Sequence, residues 1–228
     1  MQSNQDVNGI AGAIISFTES DTKNKQEKQN EQSDSEQTPS LTDMVSYLES
    51  LSFQIIYNKQ SCKQVTQIPK LLKSLIALVT FRLGTHLSEQ TDLLRLNVRY
   101  LSRLCLRYIQ DYGDAQVHSE LVNQGYGRVI SISFCTAGGA GEEQDEEIFN
   151  GLICIYKFLR ELHEGRTYGQ SSFQPLPLLA RITEEHIKEE GAIEEIEAQM
   201  NNKGQYGYIK NWATWAKSVT LNRFIHRR

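Results

Sequence analysis

Four arginines recur at every fourth position near the middle of the chain, and they are the residues best suited to binding chemistry. They are Arg95, Arg99, Arg103 and Arg107. In an α-helix, side chains four residues apart stack with a drift of about 40° per step, so the spacing predicts a cationic stripe on one helix. Guanidinium groups hold carboxylates and phosphates through paired N–H donors. With Tyr100 and Tyr108 beside it, the stripe is a candidate site for a protein partner with an acidic segment.

The same stripe has a second interpretation, a solvated helix face. Arginines on such a face pair with nearby carboxylates and cover apolar surface with their stems, which contributes little stability per pair. A nucleic-acid-binding protein could also use arginines for phosphates and tyrosines for base stacking. The formal net charge of −4 argues against that class, because non-specific phosphate binding needs a strong positive field.

A second candidate surface lies near the C-terminus at Trp212 and Trp215, with Tyr206 and Tyr208 close by. Trp and Tyr are enriched at the energetic centres of protein interfaces. The alternative is that these aromatic residues cap the end of the core. Both interpretations remain open from the sequence.

The sequence shows no pattern for catalysis or metal binding. Its five histidines lack metal-ligand spacing, and no serine lies in a nucleophile elbow. Gly138–Gly141 is not followed by the Lys and Ser or Thr of a phosphate-binding loop, and Glu142–Glu147 lacks the alternating ligands of a calcium loop. We therefore expect a non-catalytic protein without a cofactor or metal ion.

The cysteines and the apolar segments indicate where the protein works. Four cysteines are scattered without a Cys-x-x-Cys pair, which is typical of a reducing compartment. The apolar stretch from Val7 to Phe17 is too short to span a bilayer and lacks the features of a secretory signal. These observations predict an intracellular protein, cytoplasmic or nuclear, that does not enter a membrane.

Composition divides the chain near residue 40. Residues 1–40 are dominated by Gln, Asn, Ser, Lys, Asp and Glu, which offer little apolar surface to offset ordering entropy, so they are predicted to form a disordered tail. The island from Val7 to Phe17 within it is either inert or a short docking segment for a partner or for the body of the protein. Residues 41–228 are predicted to be the folded domain.

Apolar residues at helical spacing run through residues 41–228 and predict an all-α fold. One long helix should extend from Ser88 to Tyr112 and end at Gly113. Val129–Phe134 is rich in β-branched residues and would also suit a strand. A helix is favoured there because no partner strand is apparent.

Two segments resemble armadillo repeats: His118–Ile130, with glycines at 125 and 127, and His186–Ile196, with Glu190-Gly-Ala-Ile193. In that family a short helix ends at a glycine, a second helix follows, and a longer third helix lines a groove. The resemblance implies a short right-handed superhelical stack of repeats. Importin-alpha, a member of the family, carries Trp with Asn one turn later; here Ala216 and Val219 occupy those positions, so its peptide-binding signature is absent.

Taken together, these features predict a non-catalytic adaptor or scaffold that binds a protein partner through a helical-repeat surface within a hetero-oligomeric assembly. The partner-binding residues would be the arginine stripe with its two tyrosines, and the tryptophan pair. Nucleic-acid binding through Arg95–Arg107 is the alternative function.

Overall fold

The helical spacing of apolar residues is realised as helices along the chain. The computed structural model describes residues 3–27, 39–57, 59–135, 145–167, 171–202 and 208–221. Within those ranges the chain is helical apart from turns, connections and one β-bridge between Arg166 and Phe173. The all-α prediction is confirmed. The chain divides into two units, residues 1–113 and 114–228, whereas the composition suggested a single boundary near residue 40.

Unit 1 contains five helices within its described residues. They are α1 (Ser3–Glu27), α2 (Leu41–Tyr57), α3 (Lys59–Gln67), α4 (Leu71–Val79) and α5 (Glu89–Tyr112). Helix α2 packs against α5, and α4 packs against α5, so the three share one core. Leu48, Leu75 and Leu106, one from each helix, are fully buried there. Long α5 is the central element of this unit.

Helix α5 begins and ends where its sequence predicts. The Ser88 hydroxyl accepts a hydrogen bond from the Thr91 backbone N–H at 3.3 Å, which satisfies one of the unpaired donors of the first turn. At the other end the Gly113 N–H donates to the Ile109 carbonyl at 2.8 Å. Local capping chemistry therefore sets both bounds of the helix that carries the arginines.

The prediction of a disordered N-terminal tail is wrong for residues 3–27, which form α1. Its apolar residues Val7, Ile10, Ile14 and Phe17 are buried, and the helix packs against α2 and α4. The sequence had shown this apolar island, and docking onto the body of the protein, one of its alternatives, is the one that the structure shows. The spacing of three, four and three places the four residues on one helical face. Residues 28–38, also included in the predicted tail, lie outside the described residues.

Unit 2 contains six helices within its described residues. They are α6 (Ala115–Asn123), α7 (Tyr126–Cys135), α8 (Asp145–Glu164), α9 (Pro177–Glu189), α10 (Ala192–Gln199) and α11 (Tyr208–Leu221). Helix α8 packs against α7, α9 and α11, and its Phe158 and Leu159 are fully buried in the core. Helix α8 is therefore the central element of unit 2.

The two segments that resemble armadillo repeats both form a helix, a glycine turn and a second helix. The turns lie at Gly125 and Gly191, where φ is 79° and 69°. Val129–Phe134 lies inside helix α7, which confirms the helical interpretation of that segment. Packing of α7 on α8 and α9 outweighs the β-propensity of its branched residues, because propensity is a weak determinant beside burial.

The connection between α8 and α9 folds back on itself and is closed by hydrogen bonds. Arg166 and Phe173 exchange backbone hydrogen bonds of 2.9 and 3.0 Å, and the Leu176 N–H donates to the Leu162 carbonyl at 2.7 Å. Gly165, at the start, has φ of 73°, and a Cβ there would lie 2.5 Å from the Phe173 carbonyl oxygen. Only glycine fits this position, because both the backbone conformation and the space exclude a side chain.

Candidate functional site

The arginine stripe lies on α5 as predicted, but its first half points into unit 1. Arg95 and Arg99 are only 8% and 3% exposed. Arg95 Nη1 donates to the Thr85 carbonyl at 3.0 Å, and Arg99 Nη1 donates to the Phe81 carbonyl at 3.3 Å. Both acceptors belong to the connection between α4 and α5. These two guanidinium groups therefore tie that connection to α5, and the solvated-face interpretation is wrong for them.

The side chains in the second half of the stripe are less buried. Arg103 and Arg107 are half-buried, as are Tyr100 and Tyr108. Burial raises the pKa of the Tyr108 phenol above its usual range. The drift of about 40° per four-residue step explains the change in environment, because three steps turn the stripe through about a third of a circle. Partner binding by these four side chains stays a prediction.

The tryptophan pair lies on α11 and forms an aromatic cluster with α8. The Trp212 and Trp215 ring centroids are 4.8 Å apart in an edge-to-face arrangement. Tyr156 of α8 lies 5.6 Å from Trp212 and 6.2 Å from Trp215, and Phe149 lies 6.2 Å from Trp212. The two predicted tryptophans are thus brought together, and α8 supplies two further rings.

Part of this cluster faces solvent. Trp215 is 46% exposed and Tyr208, two turns earlier on the same helix, is 60% exposed. The opposite face of α11 is fully packed, since Ala213 and Ala216 are completely buried. We call Tyr156, Tyr208, Trp212 and Trp215 the aromatic surface. Tyr206, which the sequence grouped with the tryptophans, lies outside the described residues.

The sequence did not indicate Tyr156 as a surface residue, because its position in the apolar pattern of the helix is typical of a core residue. It comes from α8, more than fifty residues before Trp212, and only the packing of α8 on α11 brings them together. Its other neighbour is Arg160, whose guanidinium lies 5.9 Å from the Tyr156 ring centroid. Arg160 also pairs with Glu164 at 3.0 Å. The cation near the aromatic surface is therefore matched by a carboxylate on the same helix.

Unit 2 also holds a polar cluster around a buried histidine. His118 is completely buried, with Nε2 3.1 Å from Glu161 Oε2 and Nδ1 3.0 Å from the Asp114 carbonyl. The Phe173 ring packs on the imidazole at 4.7 Å, and the Arg166 guanidinium lies 5.0 Å from the Phe173 ring centroid. This cluster fastens the α8–α9 connection to α6.

The described part of the chain contains no cluster of three or more His, Cys, Asp or Glu residues that could hold a metal ion. Among its helices, none is both long and apolar enough to cross a lipid bilayer. The two sites predicted from the sequence are the arginine stripe and the aromatic surface. Of these, the aromatic surface is the one that presents large side chains to solvent.

Comparison with known proteins identifies no relative. No protein-family model, no curated protein and no solved structure matches the chain. The function must therefore be inferred from the site itself.

Proposed function

We propose that this chain is a non-catalytic adaptor that binds a protein partner through the aromatic surface of unit 2. The observation that carries the proposal is the 46% exposure of Trp215 within a packed group of rings. A tryptophan held by its neighbours loses little side-chain freedom on binding and offers a large contact area, which is why Trp and Tyr dominate interface energetics.

The arginine stripe is less suited to the same role. Arg95 and Arg99 already donate to backbone carbonyls within unit 1, so recruiting them to a partner would leave those carbonyls without a donor. The nucleic-acid alternative relied on the same side chains and loses support for the same reason. Arg103, Arg107, Tyr100 and Tyr108 are half-buried, and ligand binding through them stays a prediction.

The wider picture we propose is an armadillo-like stack of helices acting as a subunit of an intracellular hetero-oligomeric assembly. Its support is local: the helix, glycine turn and helix at Gly125 and at Gly191. In both segments a longer helix follows along the chain, α8 in one case and α11 in the other.

The test compares three full-length chains: wild type, Trp215→Ala and Tyr57→Ala. Tyr57 is a matched control, because it is an exposed aromatic residue at 72% and lies in unit 1. Each tagged chain is incubated with nuclease-treated extract of the cells that make it, and retained proteins are quantified by mass spectrometry. We expect a set of proteins that wild type and Tyr57→Ala retain and Trp215→Ala loses.

Loss of one central interface side chain should weaken binding by about 30-fold, the equivalent of about 2 kcal/mol. Both tryptophans of the chain lie in the aromatic surface, so their fluorescence should shift when a purified partner binds. Three identical retention profiles, with circular dichroism showing all chains folded, would rule out this surface as the binding site.

A further inference from the structure

Helix α1 lies in a groove that is formed by other helices of unit 1. Val7, Ile10, Ile14 and Phe17 are buried along one face, while Gly12 and Ser16 on the other face are exposed. Helix α1 packs against α2 and α4, and the Phe17 ring lies 5.4 Å from Phe81. We call the surface formed beneath it by α2, α4 and the residues that flank α4, Lys70, Phe81 and Arg82, the α1 groove. Apolar anchors at this spacing are the usual means by which an amphipathic helix binds in a groove.

Polar contacts at the end of the apolar face set the register of α1 in the groove. The buried Thr18 hydroxyl donates to the Ser74 hydroxyl at 2.7 Å. One residue later, Glu19 Oε1 lies 2.7 Å from Lys70 Nζ.

A second ion pair follows two residues further on, between Asp21 and Arg82. The helix thus supplies the carboxylates and the groove supplies the cations. The α1 groove is complementary to an apolar helix whose last anchor is followed by acidic residues two and four positions later.

The sequence of α1 makes its helical state depend on the groove. Gly9 and Gly12 lie on the exposed face with no atom within 4 Å of the place a Cβ would occupy, so packing does not require either glycine. Glycine disfavours helix relative to alanine, and most helical stability in proteins comes from the packing of an amphipathic face rather than from propensity. Residues 28–38, which join α1 to the body, contain no apolar side chain. Helix formation and docking of α1 are therefore coupled.

We propose that the α1 groove is a binding site for an amphipathic helix of a partner protein, and that α1 is a built-in competitor for it. The partner helix would carry apolar residues spaced three, four and three, followed by a carboxylate two and four positions beyond the last one. A tethered segment acts at an effective concentration near the millimolar range. A partner helix must therefore compete with the tethered α1 for the groove. Its apparent affinity is reduced in proportion to the fraction of chains in which the groove is open.

The test uses a fluorescent peptide with the sequence of residues 3–27 and with Gly9→Ala and Gly12→Ala, which favour helix. Its binding to the full-length chain is measured by anisotropy. Ile14→Asp in the chain should weaken docking of α1 and tighten peptide binding at least about 10-fold, because the competitor is removed. Ile14→Asp in the peptide should abolish binding. The same substitution thus has opposite effects on the two sides of the contact.

A second pair of variants avoids any damage to the core. Lys70 is 67% exposed, so Lys70→Glu should leave unit 1 folded while reversing one charge of the groove. A peptide that also carries Glu19→Lys should bind this chain several-fold more tightly than the unmodified peptide does, and the order should invert on the wild-type chain. Trp215→Ala should bind the peptide like wild type, which separates this site from the aromatic surface.

Two results would overturn the proposal. One is a peptide that binds neither the Ile14→Asp chain nor the Lys70→Glu chain in its matched form, with circular dichroism showing both chains folded. The other is a concentration-dependent dimer formed by wild type and lost in Ile14→Asp, which would assign the groove to α1 of a second copy.

Discussion

Replacing Ile14 by alanine tests whether residues 3–27 belong to the folded body of the protein. Ile14 is completely buried, whereas its neighbour Ile15 on the same helix is half-exposed. Truncating a fully buried isoleucine to alanine costs about 2–5 kcal/mol, from lost apolar burial and the cavity left behind. Alanine is the better helix former and returns roughly 0.4 kcal/mol at most. We therefore expect a loss of about 2–4 kcal/mol for Ile14→Ala and under about 1 kcal/mol for Ile15→Ala.

The assay must report on unit 1, and fluorescence does not, because both tryptophans lie in unit 2. Urea unfolding followed by circular dichroism gives the free energy, and hydrogen exchange of α4 and α5 amides locates it. Because a typical domain is stable by about 5–15 kcal/mol, the expected loss is a large fraction of the total. If the two variants agree within about 0.5 kcal/mol, α1 is not docked and the reasoning fails.

Three further predictions concern single residues. Gly165→Ala should destabilise unit 2 by at least about 2 kcal/mol, since a Cβ at positive φ would also meet the Phe173 carbonyl; an unchanged urea midpoint by tryptophan fluorescence would contradict this. Burial raises the pKa of the Cys105 thiol, so pulsed alkylation at pH 8 should label it only after unfolding, and rapid labelling of native protein would be inconsistent with its position. Burial, with Arg128 nearby, lowers the pKa of the His186 imidazole, so the folded state favours the neutral ring. The stability that depends on this neutral ring is present above the ordinary histidine pKa and is lost as the pH falls. Acidification from pH 7.5 to 5.5 should therefore shift the urea midpoint more in wild type than in His186→Gln, and equal shifts would argue against it.

Several elements could be predicted because their signals are local. Ser88 and Gly113 bound α5 through capping groups within a few residues of each helix end. The glycine turns at 125 and 191 follow likewise from residues adjacent in sequence. Each of these features depends on hydrogen bonds or backbone conformation within a few residues, so the local sequence is enough to predict it.

The candidate sites were harder to predict because exposure is decided by distant neighbours. Periodicity placed the four arginines on one helix face but could not say that Arg95 and Arg99 would turn inward to backbone carbonyls. Likewise, Trp212 and Trp215 were recognisable as candidates, yet Tyr156 joined them only through the packing of α8 on α11. Which residues of a helical stripe are buried depends on the elements of the fold that pack against that helix.

The amino-acid sequence by itself determined the helical class, the two ends of α5, the arginine stripe and the position of both tryptophans on one helix. These follow from a backbone period of 3.6 residues and from local capping, which act over a single turn or two. Tertiary structure alone decided that α1 belongs to unit 1, that half of the stripe is buried, and that Trp215 remains partly exposed. Burial is a property of contacts between segments far apart in the chain, so no local pattern contains it.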